Sequence, residues 1–509
     1  MDWTPLLQAL WLTAYFAVLG GLCLFGAHRY VILFLHWRHR HNAPPIPPAA
    51  ADADLPFVTV QLPIFNEAKV VRRLLESVGK LDYPRDRFEI QILDDSTDET
   101  RTITQEEAEI LRQRGLQVEL LQRNDRTGFK AGALAAGQEV ARGELIYIAD
   151  ADFVPPADAL RNLVGHFEDE TIGMVQTRWG HLNRTSSILT RLQAIFLDGH
   201  FQLEQTARNR SDRFFHFNGT GGMWRKSCIV DAGGWAHETL TEDLDLSLRA
   251  QMKGWKFIYR NDLVTPAELP SEMSGFKTQQ HRWAKGAVET CRKLLVRLWR
   301  SPAPLRAKIE ASVQLTCNFA YLLMAGLVLL MLRGPQVDLA WAWLAYIIIF
   351  WMTTGAVILF YTFSTRLLYP KTWVKDILHL PMALALGIGM CVNNSKGVLE
   401  AVFGHKTEFV RTPKFGSESA RHGKRRPPKW TAWLEAVLCV YFFVLGVRAV
   451  LNQDWMGLPF LLLFVVGFGY VAWPAFRNWI YEKPDASPTI DDRPRQQLLG
   501  SGPAADELH

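Results

Sequence analysis

The chain has 509 residues, among them 18 Trp and 29 Phe, and carries a formal net charge of only +5. That length allows two or three domains, and so mild a charge, clustered beside apolar runs, excludes a nucleic-acid partner, which needs a basic face on a folded domain. Six cysteines without a Cys-x-x-Cys pair exclude a disulfide framework and a zinc cluster.

The first apolar run extends from Leu6 to about Gly26 and continues through Val31–Leu35, long enough to span a bilayer. Arg38, His39, Arg40 and His41 follow it, so the positive-inside rule predicts an external N-terminus and a cytoplasmic residue 40. No cleavage site follows the run and the final Asp-Glu-Leu-His does not end in Leu, so neither secretory processing nor retention in a secretory compartment is expected. A Pro/Ala-rich linker covers 43–56.

From Phe57 short apolar strands alternate with amphipathic helices. Strands are predicted at Phe57–Leu62, Ile90–Leu93, Val118–Leu121 and Leu145–Ala149, and helices at Lys69–Lys80, Thr97–Arg114 and Lys130–Ala141. This alternation predicts an open α/β sheet, mainly parallel, whose ligands bind at the carboxyl ends of the strands. Beyond Arg300, spans are predicted at Val313–Leu332, Ala340–Phe363, Trp433–Val450 and Leu458–Trp473. The segment Ile377–Val392 is interrupted by His379 and Pro381. The basic stretch Arg421–Lys429 belongs in the cytoplasm, whereas Gly334–Asp338 and Asn452–Gly457 carry no Lys or Arg and belong outside. Those assignments agree only if the segment at 377–397 lies in the membrane interface, giving five transmembrane helices, one interfacial helix and a cytoplasmic C-terminus. The expected division is a membrane helix at 1–42, the linker at 43–56, a cytoplasmic α/β domain at 57–300, a membrane region at 301–476 with a cytoplasmic loop at 404–429, and a disordered tail at 477–509.

Four acidic or aromatic motifs fall within this frame. Asp150-Ala151-Asp152 leaves a strand, and two carboxylates so spaced can hold Mg²⁺ or Mn²⁺ while phosphate oxygens and water complete the shell; an ordinary acidic turn is the plain alternative. Asp94-Asp95-Ser96 leaves another strand, where a carboxylate can accept hydrogen bonds from a nucleoside or cap the next helix. Thr241-Glu242-Asp243 opens a helix, which favours carboxylates on dipole grounds alone; as a functional group Asp243 is the candidate general base. In Gln279-Gln280-His281-Arg282-Trp283, Arg282 suits phosphate and Trp283 can stack on the apolar face of a sugar, although Arg and Trp also suit a helix at the membrane surface. Lys130 begins a helix, a natural phosphate position. His281 reads as a packed histidine. Together these motifs point to sugar transfer at a membrane.

With these residues in place, the chain resembles family 2 glycosyltransferases of the GT-A fold. Within that family it is most similar to the cellulose-synthase-like A and C proteins, which make mannan or glucomannan and the xyloglucan backbone. The likeness rests on Leu93–Asp98, Phe129–Leu134, Phe217–Thr220, Gly254–Phe257 and Gln279–Trp283, within a strong match over about 57–300. It implies that Asp94 and Asp95 contact the nucleotide, that Asp150 and Asp152 hold diphosphate and metal, and that Asp243 is the base. It implies further that Gln279 and Arg282 hold the diphosphate and Trp283 stacks on the acceptor. Phe217, Asn218 and Gly219 are then expected near the acceptor end, with Gln176 and Trp179 beside the transferring sugar. Phe409–Lys414 resembles the gating loop of cellulose synthases, with Thr412 and Lys414 near the diphosphate and Arg411 replacing the usual Val.

The implied activity is inverting transfer of hexose from GDP-mannose or UDP-glucose to a growing β-linked, β-1,4 polysaccharide, in a bacterial inner membrane or a Golgi membrane. Transfer to a diacylglycerol or ceramide acceptor is a second enzymatic reading. An inactive scaffold or channel is the third, and four intact motifs argue against it.

Overall fold

The structure, a computed structural model, describes residues 4–48, 50–123, 125–331, 347–405, 427–455 and 457–481. Its centre is a sheet of seven strands among the described residues: β1 (Val58–Ile64), β2 (Phe88–Asp94), β3 (Val118–Leu121), β4 (Leu145–Ile148), β5 (Ile172–His181), β6 (Gly222–Arg225) and β7 (Lys256–Ala267). Their order is β3-β2-β1-β4-β6-β5-β7. Strands β1 to β4 pair in parallel, β6 runs antiparallel to both β4 and β5, and β7 is parallel to β5. The expected mainly parallel α/β sheet is therefore present, with one antiparallel insertion.

On β1 and β2 the apolar Val58, Val60, Leu62, Ile90 and Ile92 alternate with Thr59, Gln61, Glu89 and Gln91, and all nine are buried in the core. The polar members pair across the two strands, Thr59 donating to Glu89 at 2.7 Å and Gln61 to Gln91 at 3.0 Å, as burial of polar groups requires. The helix Val71–Val78 contributes buried Leu74, Leu75 and Val78 to that core. Strand β1 lies between β2 and β4, so the chain leaves the sheet in different directions at neighbouring carboxyl ends. Ligand crevices of α/β sheets form at such switch points, and Asp95 and Asp150 follow the carboxyl ends of β2 and β4 there.

The first helix, Thr4–Arg38, is continuous over 35 residues, about 50 Å at 1.5 Å per residue. A hydrocarbon core is only about 30 Å thick, and the surplus length reaches the α/β domain. There Ile32 and Leu35 are buried with Ile195, Leu203 and Phe360, and Arg210 donates to the Arg40 carbonyl at 2.7 Å.

Among the described residues four helices are long and apolar enough to cross a membrane: Leu6–Arg38, Ile347–Leu368, Trp430–Leu451 and Leu458–Ile480. Two further helix pairs pass only when each is joined across a bend, 49° between Leu305–Thr316 and Phe319–Met331 and 41° between Trp373–Gly389 and Cys391–Val402. The unbroken span expected at Val313–Leu332 is thus corrected. Its first residues belong to Leu305–Thr316, and the break falls at Cys317 and the polar Asn318. The interrupted segment at 377–397 likewise falls across a bend, at Met390.

Candidate functional site

Asp94 and Asp95 are adjacent at the end of β2 and point to different environments. Asp94 is fully buried, accepting from the Ser96 amide at 2.9 Å and the Thr104 hydroxyl at 2.5 Å. It ties the turn to the helix Thr100–Gln113. Asp95 is the partly exposed member, gripped by the Arg123 guanidinium, whose Nε donates to Oδ1 at 2.9 Å while Nη2 donates to Oδ2.

Lys130 lies in the first turn of the helix Phe129–Val140. Its ammonium is 2.5 Å from Asp150 Oδ1 and 2.9 Å from the Gly219 carbonyl. Burial would lower the Lys130 pKa, but the carboxylates of Asp150 and Glu242 outweigh it and the net direction is up. Burial pushes the Asp150 carboxyl up, opposed by Lys130 and reinforced by the nearby Asp152. The Asp150 amide donates to the Thr220 hydroxyl at 2.8 Å, joining this turn to 218–221.

Asp243 lies in the first turn of the helix Glu242–Met252 and accepts from the Leu244 amide at 2.8 Å. Burial, then the neighbouring Glu242 carboxylate, push its pKa up to about 7, against the opposing charges of Lys130 and Arg282. A carboxyl with that pKa is suited to proton transfer near neutral pH.

Gly219, with φ +86°, separates these groups: a Cβ there would lie 3.1 Å from Asp243 Oδ2 and 3.4 Å from Lys130 Nζ. Only glycine adopts this backbone without cost. Gly219→Ala should lower the transfer rate by about tenfold or more, because it strains the turn and crowds the carboxylate. Steady-state kinetics beside a thermal melt will check it, since a purely global effect would move the melt and leave the rate of the folded fraction intact.

The remaining expected residues divide between lining and support. Gln176 is fully buried, donating to the carbonyls of Thr177, Thr220 and Gly221 at 2.8, 3.1 and 3.0 Å and accepting from the Asn218 amide. Phe217 is also fully buried, edge-on to Trp224 at 5.6 Å. These two hold the 218–221 turn from behind and are shielded from any sugar. Asn218 faces a cavity, yet its amide is engaged. Gln205 donates to its Oδ1 at 2.7 Å, and its Nδ2 meets the Nε2 atoms of His200 and His216 at 3.1 and 3.0 Å. Trp179 lines the same cavity, set edge-on to Phe153.

Gln279, His281, Arg282 and Trp283 lie within the helix Met273–Arg300 rather than at its end. Gln279 and Trp283 line the cavity, and His281 packs 3.1 Å from Glu400. Farther along the helix, Glu289 accepts from the Leu240 amide at 2.9 Å, bracing the segment that leads to Asp243. Near its start, Lys277 pairs with the fully buried Glu435 of Trp430–Leu451, both contacts at 2.8 Å. The helices Met273–Arg300 and Trp430–Leu451 are thus joined by a buried ion pair. Thr412 and Lys414 lie outside the described residues.

The cavity has a volume of about 1560 Å³. Asp243, Asn218, Trp179 and Trp283 line one part of it, and Tyr15, Met324, Thr353 and Phe464 of the apolar helices line another. Arg123, Gln205, His200 and His216 hold these turns and side chains in place and lie outside the motifs. Arg123 carried one usable signal, its place two residues beyond a strand end.

The site thus sets the Asp243 carboxyl beside a lysine–carboxylate cluster at the carboxyl ends of an α/β sheet. Residues 56–286, a little under half of the chain, match the family described as "Glycosyltransferase like family 2", and this segment is a family 2 glycosyltransferase domain with the GT-A fold. Glucomannan 4-beta-mannosyltransferase 2 of Arabidopsis thaliana is 38% identical over 312 residues, 58% of this chain and 58% of the relative. Glucomannan 4-beta-mannosyltransferase 1 of Oryza sativa subsp. japonica is 39% identical over 270 residues, 52% of each. The match spans little more than half the length of these relatives. A mannosyltransferase from Pyrobaculum calidifontis, solved in complex with GDP-Man and Mn²⁺, superimposes with a TM-score of 0.51 at 22% identity, covering 76% of this chain and 100% of that one.

Proposed function

We propose that this protein is a membrane-embedded, inverting mannosyltransferase that extends a β-1,4-linked polysaccharide from GDP-mannose on the cytoplasmic face. The observation that carries this reading is the cavity that joins Asp243 and Trp283 to the apolar helices. Trp179, Trp283 and Asn218 beside Asp243 give that cavity stacking and polar groups suited to a growing sugar chain, and the product made in the experiment below separates this use from admission of a lipid acceptor. The 4-beta-mannosyltransferase relatives favour mannose over glucose as the transferred sugar.

In this reading Asp243 takes the proton of the acceptor's 4-hydroxyl as that oxygen attacks the anomeric carbon. The new O–C bond forms opposite the breaking bond to phosphate, and the nucleoside diphosphate departs with its electron pair. Arg282 and Lys130 offset the charge that develops on it, and Trp283 carries the acceptor ring. Asp150 and Asp152 suit Mg²⁺ or Mn²⁺ in donor type. Among the described residues no group of three or more His, Cys, Asp or Glu gathers for a metal, and these ions commonly take one or two carboxylates with substrate phosphates. Bound there, the ion would neutralise the diphosphate.

Purified protein in nanodiscs, given labelled GDP-mannose or UDP-glucose, should build polymer from GDP-mannose that a β-1,4-mannanase degrades. A single labelled glycolipid, or polymer from UDP-glucose alone, would defeat the reading. Chelation with EDTA should stop incorporation, and Mn²⁺ or Mg²⁺ should restore it; activity unaffected by EDTA would remove the metal from the scheme.

A further inference from the structure

Arg123 lies in none of the motifs, yet its guanidinium joins two of them. Nε and Nη2 fork onto the Asp95 carboxylate, the first at 2.9 Å. Nη1 donates to the Thr127 carbonyl and Nη2 also to the Phe129 carbonyl, both at 3.0 Å. One side chain therefore ties the end of β2 to the turn that precedes Lys130. The Arg123 side chain is 18% exposed and that of Asp95 6%, so water screens the pair little.

That turn is strained. Gly128 has φ +75° and Phe129 follows with φ +50°, a left-handed backbone that an aromatic residue adopts only when its surroundings enforce it. The enforcing contacts are visible: Arg123 holds the carbonyls on either side of Gly128, and the helix closes over the turn at Gly132, where a Cβ would run into the Thr127 carbonyl and Arg123 Nη1. The residue delivered by this strained backbone is Lys130, whose ammonium meets Asp150 and the Gly219 carbonyl.

We propose that Arg123 is a positioning residue of the transfer reaction. It fixes Asp95 for the nucleoside of the donor and, through the Thr127 and Phe129 carbonyls, sets the turn that aims Lys130 at Asp150. This rests on the reading that Asp95 meets the nucleotide. A lysine at 123 keeps the charge but cannot fork onto a carboxylate and serve two carbonyls at once.

The test uses full-length protein in nanodiscs: Arg123→Lys, Arg123→Gln, Lys130→Met and the double variant Arg123→Gln/Lys130→Met. For each, kcat, melting temperature and displacement of a fluorescent GDP by GDP and by UDP are measured. Arg123→Gln should weaken GDP and lower kcat, each by roughly tenfold, with Arg123→Lys recovering only a small part and both melting close to wild type. In the Lys130→Met background, Arg123→Gln should leave kcat unchanged while still weakening GDP, because its effect on the rate passes through Lys130. Independent, multiplying losses of kcat would overturn the proposal. So would wild-type affinity and rate in Arg123→Gln, or collapse of the fold in both Arg123 variants, which would make the residue a stability element. Wild-type protein that binds UDP in preference to GDP would sink the GDP-mannose reading alone, and the same cycle would then be read in UDP affinity.

Discussion

Asp243→Asn should abolish sugar transfer, lowering kcat by about 10²–10⁴, the range supplied by a positioned general base, while GDP binding stays close to wild type. The amide keeps the size and one acceptor oxygen of the carboxylate but cannot take the acceptor proton. In the wild-type protein the base works only when ionised, and its pKa is pushed up to about 7 by burial and by Glu242. Activity should therefore rise with pH through about 7 and fall roughly tenfold for each unit below it. The same shift predicts a stability effect of opposite benefit. A carboxyl whose folded pKa lies above its ordinary value, 3.8, is penalised in the folded state when ionised, so stability falls as pH climbs from about 4 to about 7. Asn removes that penalty. Thermal melts should show Asp243→Asn gaining on wild type across this window and holding the advantage above it. An inactive variant with no such gain would show that burial does not hold this carboxyl protonated toward neutral pH, and the pH–rate limb would then belong to another group. Retained activity would dismiss Asp243 as the base.

Most of the parallel half of the sheet was legible because β1 to β4 are short, bounded segments in which apolar residues alternate with polar ones or run together, a local signal. The antiparallel β6 was not, since Gly222–Arg225 is four residues long and its direction is set by pairing with distant β4 and β5. Hydropathy counted apolar residues correctly after Arg300 but has no sense of direction, so it ran one span across the bend at Cys317 and Asn318. At the site, the motifs mark turns that the fold gathers at the carboxyl ends of the strands, without resolving which side chain is buried and which is exposed. Asp94 and Asp95 look equivalent in sequence, yet neighbours leaving a strand point to opposite sides, and of the two Asp94 is fully buried while Asp95 is partly exposed. Gln176 and Phe217 were expected beside the sugars but are buried behind the 218–221 turn. A pattern records which residues a site requires and is blind to whether they touch substrate or hold what does. Arg123 shows the reverse case, a group whose partners lie 28 residues upstream and a few residues downstream and which no spacing rule connects.

Lys130→Met should lower kcat/KM by about 10²–10³, the cost of removing one donor aimed at developing charge, and the form of the loss is more telling than its size. Lys130 contacts Asp150 at 2.5 Å and the Gly219 carbonyl at 2.9 Å, and its charge opposes the upward shift of Asp243. Methionine keeps the length of the stem and deletes the ammonium. With the cation gone Asp243 binds its proton more tightly, so the rising limb of the pH–rate profile should move above about 7 and part of the lost rate should return in mild alkali. Asp243→Asn, lacking the base, should recover at no pH. Asp150 and Asp152 would also lose their neighbouring cation, which competes with a divalent ion for the same oxygen. Half-saturation by Mn²⁺ should therefore fall to a lower concentration in Lys130→Met even as turnover drops. Titrating Mn²⁺ against initial rate at several pH values reads both effects in one experiment. A limb that stays in place together with an unchanged Mn²⁺ requirement would show that Lys130 is electrostatically separate from the base and from the metal carboxylates, contrary to the geometry of the cluster.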